Sequence, residues 1–343
     1  MAHYLERLFG GAPANGGSRA ARVALAVIAA FVLLIVLLNL GGLGAALAEL
    51  KLYLGYTFIQ RALVVGALVA LCAALLGVTL VLKRYSMIGD GLSHVGFGAL
   101  SIAAALGFVT ADSLPGFLPA GMRMGIARLC TGIAANPLQF TLAVVIALAF
   151  LILRMSERSA IRGDAAIALL STSALAVGVL AASLTSGMNV DVMNYMFGSI
   201  LAMSATDVVV SVVLAVAVLV LFILFSSRIF AVTFDEPFAR ATGTRVNSYN
   251  MLIAILTAVT IVIGMRLMGT MLISSLIIFP ALTSMRVYSR FRAVMVCSGI
   301  VSVICFVAGI LLSCLYAMPA GAAIVLTNLA AFLIFSLVGR ARA

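Results

Sequence analysis

Apolar residues in this chain come in long runs separated by short polar stretches. The runs are Val23–Leu47, Phe58–Leu82, Met87–Phe108, Leu138–Leu153, Ala165–Leu184, Val208–Phe225, Met251–Met265, Leu267–Met285, Val294–Leu315 and Ala322–Val338. A hydrocarbon core of about 30 Å takes roughly 20 helical residues to cross. Inside it a helix satisfies its backbone hydrogen bonds within one segment. The pattern predicts an all-α, polytopic membrane protein of about ten transmembrane helices. The first run exceeds the roughly 7–15-residue core of a signal peptide and reads as a retained helix. Met251–Met285, interrupted at Arg266, reads as either a tight hairpin or a broken helix.

Charge adds an orientation. Assigning alternate connections to alternate sides puts 16 of the 21 Lys and Arg residues on one side, Lys83, Arg84, Arg240 and Arg286 among them. Lys51, Arg61, Arg123, Arg128 and Arg266 fall on the other. The positive-inside rule makes the first side cytoplasmic, with both termini inside. The net charge of +11 is thereby explained by loops, with no nucleic acid partner required. On the outer side, Thr110–Pro137 reads as an irregular or short-helical cap. Thr185–Thr206, with Asp191, Asn194 and Tyr195, is a second long segment. Both suit either simple connection or docking of a cargo-delivering protein.

Composition excludes a soluble domain, since 65% of the 343 residues are hydrophobic and 9% are charged. The five cysteines show no paired metal spacing and no disulfide framework. Met188, Met193, Met196 and Met203, like Met265, Met268 and Met271, are soft donors that would suit monovalent copper, but methionine is also the usual filler of irregular apolar gaps. A P-loop needs Gly-Lys-Ser/Thr. The only lysines, Lys51 and Lys83, are followed by Leu52 and Arg84, so energy for uphill transport must come from another subunit or an ion gradient.

One stretch breaks the apolar pattern with chemistry. Asp90 and His94 stand inside the third run, and a carboxylate at a helix centre costs about 2.5–3.5 kcal/mol on insertion scales. Their i, i+4 spacing stacks both side chains on one face, where a carboxylate and an imidazole can hold one cation. A structural reading remains beside this one: Asp90 bonding a neighbouring helix and His94 a satisfied core histidine. His94 lies ten residues past Arg84, or about 15 Å along a continuous helix. The only other histidine is His3. Gly91, Gly96 and Gly98 flank the pair and allow either close helix packing or room for an ion. A second stretch, Phe234–Asn247, carries Asp235 to cap a helix, Pro237 for its first turn and Gly243 to end it. With Glu236, Ala239 and Arg240 between them, the stretch reads as a surface helix of about two turns.

These stretches carry a resemblance. Gly89-Asp90-Gly91-Leu92-Ser93-His94 after Lys83-Arg84 is similar to the second-helix motif of the permease subunits of ATP-binding-cassette importers for zinc, manganese and iron. Gly163–Ala168, Phe197–Ser204, Asp235–Ala239 with Gly243, Leu276–Ala281 and Pro319–Val325 resemble further blocks of that family, in the same order. Ser199 departs from it, standing where relatives often have Asp or Asn. The resemblance implies an ABC importer permease domain over residues 58–338. Residues 1–57 add a polar tail and an extra helix, and 339–343 form a basic tail. It further implies transport of manganese, zinc or ferrous iron in a cell membrane, with Asp90 and His94 as metal ligands and no permanently bound cofactor. Manganese slightly leads, because the pair is poor in nitrogen and sulfur. Asp235, Glu236, Pro237, Ala239 and Gly243 would form the loop that seats a partner ATPase. Other implied partners are an extracellular or periplasmic metal-binding protein and a second permease, identical or similar. The residues also fit a proton-coupled secondary transporter using the same Asp–His pair. A permease for a larger iron chelate or cobalamin would instead need a wide apolar cavity.

Overall fold

The computed structural model describes residues 52–341 except 54, 86, 111–112, 114, 116–118, 159–162 and 184–204. Eleven helices follow one another among them: α1 Thr57–Leu82, α2 Ile88–Leu106, α3 Ala120–Ala135, α4 Pro137–Arg158, α5 Gly163–Ser183, α6 Ala205–Phe234, α7 Glu236–Ala241, α8 Val246–Met268, α9 Thr270–Met285, α10 Phe291–Tyr316 and α11 Ala320–Ala341. Nine of the ten apolar runs coincide with helices. The run Val23–Leu47 lies outside the described residues. So do Asp191, Asn194, Tyr195, the Phe197–Ser204 block with Ser199, and Met188, Met193, Met196 and Met203.

Six helices (α1, α5, α6, α8, α10 and α11) are long and apolar enough to cross a membrane alone; α3 and α4, meeting at 91°, make a seventh span if taken as one. The expected ten is not reached among the described residues. Two shortfalls have local causes. α2 has 19 residues but carries Asp90, His94 and several glycines, which dilute its apolar character. α9 has 16 residues, only about 24 Å at 1.5 Å per residue.

Apolar side chains of α1, α2, α8 and α9 form the main core with those of α4 and α6. Small residues let these helices touch. A Cβ on Gly77 would lie 1.9 Å from the Ile277 carbonyl oxygen, so α1 and α9 are in backbone contact there. Ser302 of α10 donates to the Ala70 carbonyl of α1 at 2.9 Å, and Thr327 of α11 donates to the Cys305 carbonyl of α10 at 2.8 Å. Such interhelical bonds suit a medium without competing water. The outer surface is apolar in helical register: Val209, Val213, Val216, Val220 and Leu224 of α6 are all exposed, at spacings of three and four.

The α8–α9 junction is a hairpin. Gly269 connects the two with φ 88° and ψ 163°, a region essentially reserved for glycine, and Gly264 abuts Ile273 across the turn. Of the two readings for Thr110–Pro137, irregular or short-helical, the helical one holds, since α3 occupies four turns of it. Charge partition and helix ends agree. Lys83, α7, Arg245 and Arg286 share one end of the bundle, where Gly339 lies against the Arg286 carbonyl. At the other end Arg266 of α8 pairs with Asp207 of α6 at 2.8 Å.

Candidate functional site

α1 ends in a left-handed turn. The Tyr85 amide donates to the Leu80 carbonyl and the Arg84 amide to the Val81 carbonyl, with Arg84 at φ 63°. This is a Schellman closure with arginine in place of the usual glycine. The chain then re-enters helix only at Ile88. The distance expected from a continuous helix is therefore corrected: His94 is six residues into α2, about 9 Å along its axis, and Asp90 lies in its first turn. There the positive end of the helix dipole favours a carboxylate.

Asp90 and His94 do meet. His94 Nε2 lies 3.6 Å from Asp90 Oδ2, with the side chains 25% and 45% exposed respectively. That separation is too long for a hydrogen bond. A single ion held at about 2.1 Å from each atom would bridge it. Ser274 of α9 lies beside the same carboxylate; sequence reasoning missed it, since a serine in an apolar helix carries no signal of its own. Gly89 lies where α2 meets α9: a Cβ there would come 3.1 Å from the Ile277 Cδ1 and 3.6 Å from the Ser274 Cα. Among the described residues no third His, Cys, Asp or Glu gathers with the pair.

The neighbouring glycines are packing positions. A Cβ on Gly91 would meet Ile167 at 2.3 Å, one on Gly98 the Ala174 carbonyl at 2.5 Å, and one on Gly96 the Met265 sulfur at 2.9 Å. They seat α2 against α5 and α8. Met265 and Met268 are likewise buried core residues, whereas Met271 is exposed. The five cysteines are free, three of them buried.

The second stretch folds as its residues dictate. Asp235 accepts a hydrogen bond from the Phe238 amide at 2.9 Å. Pro237 lies in the first turn of α7. Gly243, at φ 80°, closes the end: its amide donates to Arg240 and that of Thr244 to Ala239. Ala239 is buried with Val232 of α6 and Val246 of α8. Glu236 points inward to a partner the sequence did not reveal. Lys83 Nζ lies 3.0 Å from Glu236 Oε1 and also donates to Asn250 Oδ1, while Asn250 Nδ2 donates to Glu236 Oε1 at 2.9 Å. Burial pushes the Glu236 carboxyl up, but the Asn250 amide, the Lys83 ammonium and the Arg240 charge together hold it below the usual glutamate value.

The described helices thus form a bundle with an apolar outer surface, an Asp–His pair on one inner helix and a short capped helix at one end. The chain belongs to the ABC 3 transport family, whose model matches residues 55–339. It is 29% identical over 273 residues to the manganese transport system membrane protein MntC of Halalkalibacterium halodurans, covering 80% of this chain and 84% of that one. It is 28% identical over 267 residues to the high-affinity zinc uptake system membrane protein ZnuB of Haemophilus influenzae, covering 78% and 92%. Among solved structures, PsaBC from Streptococcus pneumoniae in complex with Fab superposes with a TM-score of 0.68 at 27% identity, over 84% of this chain and 95% of that chain.

Proposed function

We propose that this chain is the membrane-spanning subunit of an ATP-driven importer of divalent transition-metal ions, and that Asp90 and His94 hold the ion in transit. The observation that carries the reading is the pair itself: a carboxylate and an imidazole 3.6 Å apart on one face of an otherwise apolar helix. The manganese and zinc transport roles in the names of its relatives support the cargo class. One carboxylate and one imidazole serve manganese, zinc or ferrous iron, and a set this poor in nitrogen and sulfur favours manganese. About ten helices cross the membrane, with the Lys83 and α7 end in the cytoplasm. α7 seats an ATPase subunit, a metal-binding protein delivers the ion from outside, and two permeases form the pathway. ATP binding and hydrolysis then alternate the outward and inward states.

The test is metal uptake by cells producing Asp90→Ala or His94→Ala at wild-type membrane abundance. Loss of manganese and zinc uptake in both is expected, and normal uptake in either overturns the site. A proton-coupled transporter built on the same pair predicts uptake that collapses with a protonophore and survives depletion of ATP; the importer predicts the reverse.

A further inference from the structure

We infer that Lys83 is a positioning residue that transmits movement of α7 to the ion-bearing helix α2. The inference rests on the permease reading above and adds to it a specific mechanical link. Three side chains from three elements close a ring: the Lys83 ammonium, the Glu236 carboxylate at 3.0 Å and the Asn250 amide, itself 2.9 Å from Glu236. The Lys83 side chain is only 10% exposed and Asn250 is buried, while the Glu236 carboxylate, 41% exposed, closes the ring from the solvent side. The sheltered Lys83 ammonium is held by these two partners, and removing them would leave it uncompensated.

What Lys83 is attached to gives the joint its direction. Lys83 caps α1, and the next residue, Arg84, is the left-handed residue of the turn. The Ile88 amide that opens α2 donates to the Tyr85 carbonyl of the same turn at 3.1 Å. Asp90 follows in the first turn of α2. A shift of Glu236 with α7 therefore pulls on the residue that begins the α1–α2 turn, seven residues before the carboxylate that holds the ion. The apolar contacts of α7, through Ala239, reach α6 and α8; the Glu236 ring adds the connection to the end of α1, from which the turn to α2 departs. Asn250 keeps the ring in register, because its amide binds Lys83 through oxygen and Glu236 through nitrogen at once.

The experiment compares Lys83→Met and Lys83→Arg in the complex purified with its ATPase subunit and reconstituted in vesicles. The probes are manganese and zinc ions, and both metal uptake and ATP hydrolysis are measured. In Lys83→Met, ATPase association and basal hydrolysis should persist. Metal moved per ATP should fall by on the order of tenfold, within the range of coupling between two sites. Lys83→Arg, which can keep the pair with Glu236, should recover most of that loss. Wild-type stoichiometry in Lys83→Met overturns the inference. So does an equal loss of assembled protein in both variants, which would make Lys83 a structural residue only. A wild-type complex that hydrolyses ATP but moves neither metal overturns the permease reading, and that outcome is distinct from the other two.

Discussion

Two polar clusters on this chain differ in how completely their hydrogen-bonding capacity is used. Asp90 and His94 are 3.6 Å apart and partly open. The Lys83–Glu236–Asn250 ring is closed, with distances of 3.0 and 2.9 Å. A partly open pair contributes little to stability, and on the proposed reading its oxygen and nitrogen are the atoms that would hold a passing cation. In the ring, both bonds to Glu236 converge on one carboxylate oxygen beside the Lys83 ammonium, whose charge disfavours a cation there. The ring's strength lies in holding three elements in fixed relation. The difference teaches how one protein divides its polar groups between transit and linkage, and it makes the two clusters separable by experiment.

The largest expected effect is at the open pair. Asp90→Asn keeps the shape and removes the charge. Loss of a direct ligand should exceed the 10–100-fold cost of outer-shell changes, so uptake of manganese or zinc should fall by about 100-fold or more. Thermal stability of the purified protein should hardly change. A large drop in melting temperature with uptake preserved would reverse the assignment of the two clusters.

Next is the link itself. Glu236→Arg with Gly243→Leu sets a cation against Lys83 and forces a β-carbon into the left-handed region at φ 80°. The space beside Gly243 is open, so the strain there is conformational, about 1–2 kcal/mol. The double variant should lose ATPase association or metal-stimulated hydrolysis, while the Asp90–His94 site still binds metal. Wild-type transport by the purified complex would remove α7 from the coupling path.

A smaller effect follows from acid. Glu236 titrates below its ordinary value when folded, so its contribution to stability is fully present above the unfolded value. It is lost as pH falls through the lowered folded one. Wild-type protein should therefore melt at a higher temperature than Glu236→Gln at pH 7, and the gap should narrow as the pH drops below about 4.5, the ordinary glutamate range. A gap that widened on acidification would mean that the ring is not held by the ionised carboxylate.

Legibility in the sequence followed the same division between local and distant. Everything about α7 that depends on neighbours in the chain could be read: Asp235 as cap, Pro237 in the first turn, Gly243 as terminator. The i, i+4 meeting of Asp90 and His94 was equally local, and the apolar runs located nine helices. What could not be read depended on tertiary contact. Lys83 and Asn250 reach Glu236 across 153 and 14 residues, and nothing in the Lys83-Arg84 pair distinguishes a joint from an ordinary basic flank. Ser274 beside Asp90 was invisible for the same reason. The 91° bend between α3 and α4 falls at Asn136-Pro137, where proline marked a boundary but not an angle. The start of the second run at Met87 was read to within one residue of Ile88, but the break before it was not counted in the distance from Arg84, because the left-handed residue ending α1 is arginine and the usual glycine signal is absent.

That arginine supports the smallest prediction, which sets two equivalent turns against each other. α1 and α7 both end in Schellman closures, with Arg84 at φ 63° and Gly243 at φ 80°. A side chain in that region costs about 1–2 kcal/mol, and glycine gives back roughly 0.5–1 kcal/mol of that in backbone entropy. Arg84 is exposed, so its replacement removes no buried contact. Arg84→Gly should therefore stabilise the protein by up to about 1 kcal/mol, a rise of roughly 2 °C in melting temperature for a chain of this size. Gly243→Ala, made at the matching position, should lower it by a similar amount. Opposite signs are the diagnostic. If both variants destabilise, the left-handed arginine is held by interactions whose loss outweighs its strain, and the α1–α2 turn is a tighter part of the joint than its backbone alone implies.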